Sequence, residues 1–218
     1  MGVKRATQLL IVVLAAALLA GCGEKKETLG DTTAVSGPGI RATAPRWQPE
    51  YAHLAQRIKQ LGLPPVGKEK VHLHSLIHIY NAGLLVPVAP NIGIHKPAYS
   101  SVHTHDQTGV IHMESDIPHK FTIGDFFAIW GVRFGKESLG NLVNKGDKQV
   151  RVYVNGKLVT DPVHYVMKDQ DNIVVGYGTA DSFPHNPSKK ALELVDKGGG
   201  NCAKTQKGEK PKSCIAGQ

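Results

Sequence analysis

The sequence has few cysteines, and it lacks the short motifs of several common catalytic sites. Its three cysteines are Cys22, Cys202 and Cys214, and none of them stands in a Cys-x-x-Cys spacing. The missing spacing argues against a redox site and against a cysteine-ligated metal site. The Gly-x-Ser-x-Gly motif of serine hydrolases and the His-Glu-x-x-His motif of zinc proteases are also missing. The motifs therefore indicate no particular enzymatic reaction.

The basic residues do not form a pattern typical of nucleic-acid binding. The net charge is +8, but the basic residues are not interleaved with aromatic residues, so we expect no nucleic-acid partner. Many of the lysines follow the last predicted strand, at Lys189, Lys190, Lys197, Lys204, Lys207, Lys210 and Lys212. Such a tail would be attracted to anionic lipid headgroups or envelope polymers, unless it only keeps the protein soluble.

A long apolar run occurs at the N-terminus. Residues 9–19 follow Lys4 and Arg5 and lead into a Leu-Ala-Gly-Cys sequence that ends at Cys22. The run is too short to be a typical membrane-spanning helix. Residues 1–21 resemble the signal peptide of a bacterial lipoprotein. The resemblance implies that Cys22 carries acyl chains such as palmitate, which hold the folded part outside the cytoplasm at the cell membrane or the outer membrane. An uncleaved membrane anchor is the alternative.

The two remaining cysteines lie close to the C-terminus. Cysteines outside the cytoplasm usually oxidise. Once Cys22 carries lipid, Cys202 and Cys214 have only each other as partners within the chain. We therefore predict a disulfide between Cys202 and Cys214, which closes a small loop in a basic tail over residues 181–218.

The rest of the chain is predicted to contain one globular domain. Residues 22–49 are rich in Gly, Thr, Ala and Pro, which predicts a flexible tether. Apolar residues at helical spacing predict a short helix within residues 50–65, and they are Tyr51, Leu54, Ile58 and Leu61. Residues 66–180 then form a histidine-rich domain, because roughly 110 to 130 residues can bury a single core.

The pattern inside this domain predicts strands on both sides of one helix. Residues 71–79 and 110–115 alternate between apolar and polar side chains, which is typical of half-buried strands. Thr122 and Asp125 form a capping box for a helix that ends at Gly131. Asn155-Gly156 predicts a hairpin, and residues 163–167 and 173–177 predict a second one. We therefore predict an α+β fold with a mixed or antiparallel sheet packed on one main helix, in a β-grasp-like order. A small β-sandwich is the alternative.

Histidines are concentrated in one part of this domain. Eight of the eleven histidines fall between His72 and His119. They alternate with other residues, as in His72-Leu73-His74, and a period of two places side chains on one face of a strand. Imidazole is the commonest protein ligand for transition metals, so the pattern favours a metal site.

The best candidates for ligands come from two neighbouring segments. His103 and His105 are two residues apart, as are His112 and Glu114, so each pair points to one side of an extended chain. The residues between the two pairs can turn the chain back. We predict that His103, His105 and His112, with Glu114 as the fourth ligand, bind a divalent transition metal, Zn²⁺ or Cu²⁺. A second site, or supporting partners of the first, is predicted at His72, His74, His78 and Asp106.

Other interpretations of the cluster stay open. Glu114 can act as the general base of a hydrolytic zinc site, in which the metal lowers the pKa of bound water. Alternating histidines can also be simply the solvent-exposed face of a half-buried sheet, or a cluster that senses acid pH. A third class is a cell-envelope interaction module that binds no metal and uses the basic tail and a sheet edge.

The motif around the histidines is similar to that of a group of uncharacterised bacterial exported proteins and lipoproteins. The similarity lies in His103-Thr104-His105-Asp106 and in Ile111-His112-Met113-Glu114-Ser115, followed by the helix from Phe121 to Gly131. Ile123 stands where that group usually has Leu. The resemblance covers residues 71–178, and it implies an extracytoplasmic setting without naming an activity.

Overall fold

The computed structural model of the protein describes residues 1–2, 34–68 and 70–196. Cys22, Cys202 and Cys214 lie outside these ranges, so the signal peptide, the lipid anchor and the disulfide stay predictions. Within the described ranges, each helix is too short or too polar to cross a membrane.

The described elements follow each other as one helix, a set of strands, a central helix and a second set of strands. In chain order they are α1 (Leu54–Gln60), β1 (Val71–Asn81), β2 (Leu84–Val86), β3 (Ile94–His95), β4 (Ala98–Tyr99), β5 (Val102–His103), β6 (Val110–Ser115), α2 (Ile123–Trp130), β7 (Ser138–Leu139), β8 (Leu142–Val143), β9 (Gln149–Val154), β10 (Lys157–Val159), β11 (Asn172–Gly178), a 3₁₀ turn (Ala180–Ser182) and α3 (Lys190–Asp196).

The main sheet has the strand order β10-β9-β11-β1-β6-β5, and β2 pairs with the far end of β1. In this sheet β1 and β11 run parallel, whereas the other pairs are antiparallel. The predicted α+β class, with a mixed sheet, is therefore confirmed. The order is also β-grasp-like, because the first and last long strands are central parallel neighbours and α2 connects the two halves.

Helix α2 is fixed at both ends and buried against the sheet. The Thr122 hydroxyl accepts a hydrogen bond from the Asp125 amide at 3.0 Å, and the Asp125 carboxylate accepts one from the Thr122 amide at 2.8 Å. This is the predicted capping box. Gly131 ends the helix with a φ of 78°, a left-handed conformation that favours glycine. Phe126 and Trp130 are fully buried against the inward side chains of β1 and β6.

Residues 163–167 differ from the prediction, because they form no strand. The carbonyl oxygens of Val163 and Tyr165 accept hydrogen bonds from the amides of Gly124 and Ile123, both at 3.0 Å. These amides belong to the first turn of α2 and have no partner within the helix. The segment therefore satisfies the helix N-terminus instead of forming the predicted second hairpin.

The described part of the predicted tether, residues 34–49, packs against the domain. Trp47 is buried and lies edge-on to Trp130, with ring centroids 5.9 Å apart. The indole N–H of Trp130 donates to the Trp47 carbonyl oxygen at 3.2 Å, and the Val35 amide donates to the Phe134 carbonyl oxygen at 2.7 Å. The prediction therefore needs correction here. The segment shows no apolar periodicity because one tryptophan and backbone hydrogen bonds hold it.

The face of the sheet opposite α2 is partly covered by residues 180–196. Phe183 packs in a cluster with Tyr80, and Leu192 of α3 packs on Leu76 and Val110. This part of the predicted basic tail thus belongs to the folded structure. The histidines of β1 and β6 lie on the same face, beyond α3.

Candidate metal centre

The histidine cluster lies on the outer face of the sheet, where β1, β6 and β5 are neighbours. The register places His74 opposite His112, and His112 opposite His103. It also places His72 opposite Glu114. Alternate residues of a strand share a face, so these side chains stand together while the residues between them face the core. Two rows of ligand-type side chains therefore cross the sheet.

The turn between β5 and β6 is held by a buried threonine and a glycine. The Thr104 hydroxyl donates to the Ala89 carbonyl oxygen at 3.0 Å and accepts from the Ile92 amide at 3.2 Å. Gly109 has a φ of 84°, and a Cβ atom there would lie 2.3 Å from the Ile77 carbonyl oxygen. Both residues fix the path along which the chain returns to β6.

His103 is the most buried imidazole of the cluster, and its orientation is set by the backbone. Its side chain is fully buried, and Nδ1 lies 3.0 Å from the Ser100 carbonyl oxygen. A carbonyl oxygen can only accept, so Nδ1 carries the hydrogen and Nε2 keeps its lone pair. A metal-binding imidazole is typically held in this way, by a hydrogen bond from its other nitrogen.

The lone pair of His103 Nε2 points at other polar atoms of the cluster. Nε2 lies 3.2 Å from the Tyr99 hydroxyl and 3.3 Å from His105 Nε2. It also lies 3.7 Å from Oε1 of Glu114. The strand register and the β5–β6 turn therefore bring the predicted ligands of two segments to one point.

Glu114 connects the imidazoles of all three strands. Its Oε1 atom lies 3.3 Å from His72 Nε2 and 3.4 Å from His112 Nδ1, in addition to the contact with His103. The Glu114 side chain is only 8% exposed. A buried carboxylate is costly unless it has hydrogen-bond donors, and here His72 Nε2 and His112 Nδ1 can donate to it, whereas His103 Nε2 keeps its lone pair.

The electrostatic environment keeps the inner groups ready to bind a cation. Burial lowers the pKa of His103 to about 3, and the neighbouring His105 and His112 add to this effect against the opposing carboxylate of Glu114. Burial also lowers the pKa of His105. Burial raises the pKa of Glu114, but the surrounding imidazoles outweigh it and hold that pKa at about 2. Near neutral pH His103 and His105 are therefore neutral and Glu114 is ionised, the forms in which these residues bind metals.

Two overlapping groups can hold a metal ion. In the inner set, one ligand atom from each of His103, His105, His112 and Glu114 lies within 4.8 Å of every other. Three imidazoles and one carboxylate match the four nitrogen and oxygen ligands of a Zn²⁺ site, and imidazole also suits Cu²⁺. The outer set consists of His72, His74 and His112, and it meets the same distance limit.

Two residues of the predicted second group lie apart from both sets. Asp106 Oδ1 accepts a hydrogen bond from the Thr108 amide at 2.9 Å, which stabilises the turn after β5. His78 is separated from His74 by Leu76, which packs under α3. Burial lowers the pKa of His78. Of the predicted second group, His72 and His74 are the members that join the cluster.

Two further groups that contact His103 carry no recognisable signal in the sequence. The Tyr99 hydroxyl and the Ser100 carbonyl oxygen both contact the His103 ring. A backbone carbonyl carries no sequence signal, and Tyr99 comes from a two-residue strand that the pattern does not reveal. Both contacts depend on how the backbone of residues 98–103 folds back beside β6, which brings Tyr99 and Ser100 next to the His103 ring.

Comparisons with known proteins add no assignment to this geometry. No family model, curated protein or solved structure matches the chain. The resemblance to exported bacterial proteins therefore stays a prediction, and the function must be inferred from the site.

Proposed function

We propose that this protein binds a divalent transition metal ion, Zn²⁺ or Cu²⁺, at the cell envelope, and that it captures, buffers or delivers this ion. The observation that carries the proposal is the buried Nε2 atom of His103. Its lone pair is fixed by the hydrogen bond from Nδ1 to Ser100, and it faces His105 and Glu114 at 3.3 and 3.7 Å.

The chemistry of the inner set supports this class of metal. Imidazole nitrogens suit Zn²⁺ and Cu²⁺, whereas Mg²⁺ and Ca²⁺ prefer oxygen ligands. One carboxylate among three imidazoles supplies a negative charge that partly balances the ion. The envelope location comes from the resemblance of residues 1–21 to a lipoprotein signal, with Cys22 as the lipid-bearing residue. The basic tail beyond α3 would add attraction to anionic headgroups.

The position of Glu114 favours a ligand over a general base. A general base must reach a water or substrate proton while the metal is held by other residues. Here Oε1 lies 3.4 Å from a nitrogen of His112 and 3.7 Å from a nitrogen of His103, where an ion bound by these two imidazoles would meet it. Binding, rather than hydrolysis, is therefore the function that we propose.

Calorimetric titration of the purified protein with Zn²⁺ and with Cu²⁺ tests the proposal. We expect saturable binding that is lost in the double variant of His103→Ala and His105→Ala. Glu114→Gln should weaken binding by about 10- to 100-fold, because it removes a charged ligand. Full affinity in Glu114→Gln would favour the base role instead.

The matched control is His164→Ala, which removes an exposed histidine that pairs with Asp161 outside both sets. It should bind the metal like the natural protein. Absence of any binding, or binding that survives the loss of His103 and His105, would contradict the proposed function. Elemental analysis of protein purified without chelator or affinity tag identifies the metal.

A further inference from the structure

A second group of imidazoles lies beside the inner set and closer to solvent. Nitrogen atoms of His72, His74 and His112 lie within 4.8 Å of one another. We propose that this outer set is a second metal site, at which the ion is captured first and from which it passes to the inner set. The inference rests on the proposed function, because it requires that the inner set binds a metal ion.

The exposure of the side chains supports a path for the ion from the outer set to the inner set. The His72 side chain is 44% exposed, that of His112 is 14% exposed, and that of His103 is 0% exposed. His72 is thus far more accessible than His103 to an ion that arrives from solvent. The buried Nε2 of His103 needs an approach path through less buried ligands, and the outer set supplies one.

Two residues allow the ion to move without losing all of its protein ligands. His112 belongs to both sets. Oε1 of Glu114 lies 3.3 Å from His72 Nε2 and 3.7 Å from His103 Nε2, so the same oxygen is within reach of an ion at either place. Transfer then consists of ligand exchange, in which His72 and His74 leave as His103 and His105 bind. No covalent bond changes, and the hydrogen bond between the Tyr99 hydroxyl and His103 Nε2 gives way to the metal–ligand bond.

The number of ligands also favours two positions over one. Together the two sets contain five imidazoles and one carboxylate, whereas Zn²⁺ in a structural site takes four ligands. A single ion bound by three imidazoles and Glu114 at the inner set therefore leaves two of the five imidazoles without a direct bond to it. The leftover pair on the exposed side is His72 and His74, which are neighbours on β1 with ring centroids 4.8 Å apart.

Binding kinetics test the inference with Co²⁺ as a coloured substitute for Zn²⁺. We compare the natural protein with the double variant of His72→Ala and His74→Ala by stopped-flow absorbance, and we measure the dissociation constant at equilibrium. A residue pair that forms a route, but not the final site, speeds entry and exit equally. We therefore expect the association and dissociation rates both to fall by about tenfold, with the dissociation constant unchanged within error.

The matched control is the double variant of His119→Ala and His164→Ala, which also removes two histidines but leaves both sets intact. Its rates should equal those of the natural protein. Circular dichroism of both double variants checks that the sheet is retained. A variant at His72 alone, which keeps His74, should show a smaller decrease in both rates.

Three results would overturn the inference. Unchanged rates in the His72 and His74 double variant would show that the outer set is not on the route. A weaker dissociation constant with a faster dissociation rate would make these residues ligands of the final site. Two tightly bound ions per chain would make the outer set a permanent site. Failure of the natural protein to bind any ion would instead contradict the proposed function itself, so the two failures are distinguishable.

Discussion

At the scale of single residues, the site depends on how His103 is held. A fully buried imidazole is kept neutral because its charged form would lose the hydration that it has in water. The Ser100 carbonyl oxygen accepts a hydrogen bond from Nδ1 at 3.0 Å, so the hydrogen of the neutral ring is on Nδ1 and Nε2 has none to donate. The metal-free protein therefore keeps a buried lone pair beside an ionised carboxylate, an arrangement that a cation would stabilise.

The lowered pKa of His103 predicts that the metal-free protein loses stability in mild acid. In the unfolded chain a histidine has a pKa of about 6.5, whereas folding lowers that of His103 to about 3. The stabilising difference is complete above pH 6.5 and is lost as the pH falls, because the unfolded chain then binds a proton that the folded chain does not. We expect the free energy of unfolding to fall by about 1.4 kcal/mol per pH unit from this residue. Urea unfolding with chelator between pH 7.5 and 5 measures it.

Two comparisons separate His103 from other groups in this experiment. Glu114 has a pKa of about 2 in the folded protein, so its own loss of stability begins only below about pH 4.5. His103→Asn should show a shallower slope above pH 5, whereas His164→Asn should keep the natural slope. Equal slopes in all three proteins would contradict the assigned environment of His103.

At the scale of elements, the turn from β5 to β6 decides whether the two segments meet. Thr104 lies between His103 and His105, and its hydroxyl bonds to Ala89 and Ile92 of the preceding loop. His103 and His105 face outward because the threonine between them is fixed inward.

Thr104→Val tests this role, because valine keeps the shape of threonine but lacks the hydroxyl. The buried Ile92 amide and Ala89 carbonyl oxygen would each lose one hydrogen bond. We expect a loss of about 1 to 3 kcal/mol in the free energy of unfolding, together with weaker metal binding. Urea unfolding and Zn²⁺ titration measure the two effects. Thr104→Ser keeps the hydroxyl and should retain more of both, and a valine variant that matches the natural protein would refute the role of this bond.

The elements differ in how far the sequence predicts them. The Thr122 capping box, the Asn155-Gly156 hairpin and the alternation of β1 and β6 are local signals, and the structure has each of them. The contact between His103 and His112 was also predictable, because it follows from the alternation of side chains along two strands and from the short turn that pairs them. Residues 163–167 were not, because their partners are amides of a helix that lies 40 residues earlier in the chain. The amide groups of a helix N-terminus attract any carbonyl that folding brings near, and no local pattern records which one arrives.

At the scale of the whole molecule, the two faces of the sheet have different roles. One face packs on α2 and forms the main core. The other face is divided between the cover formed by Phe183 and Leu192 and the histidine cluster. This division explains why histidines can gather on a strand whose other face is mostly apolar. The sequence shows the alternation, but it does not show that residues 180–196 cover part of the outer face.

Residues 34–49 also pack on the domain, which predicts that the folded part begins before residue 50. A chain that starts at residue 34 keeps Trp47 against Trp130 and therefore retains the contacts of residues 34–49. A chain that starts at residue 50 exposes Trp130, which is fully buried in the structure. We expect it to lose about 3 to 5 kcal/mol, the usual cost of removing a buried tryptophan, or not to fold at all. Thermal unfolding followed by tryptophan fluorescence measures this, and Trp47→Ala in the full chain is the matched comparison. Equal stability of the two shortened chains would mean that residues 34–49 act as a tether after all, since their contacts would then contribute nothing to holding α2 on the sheet.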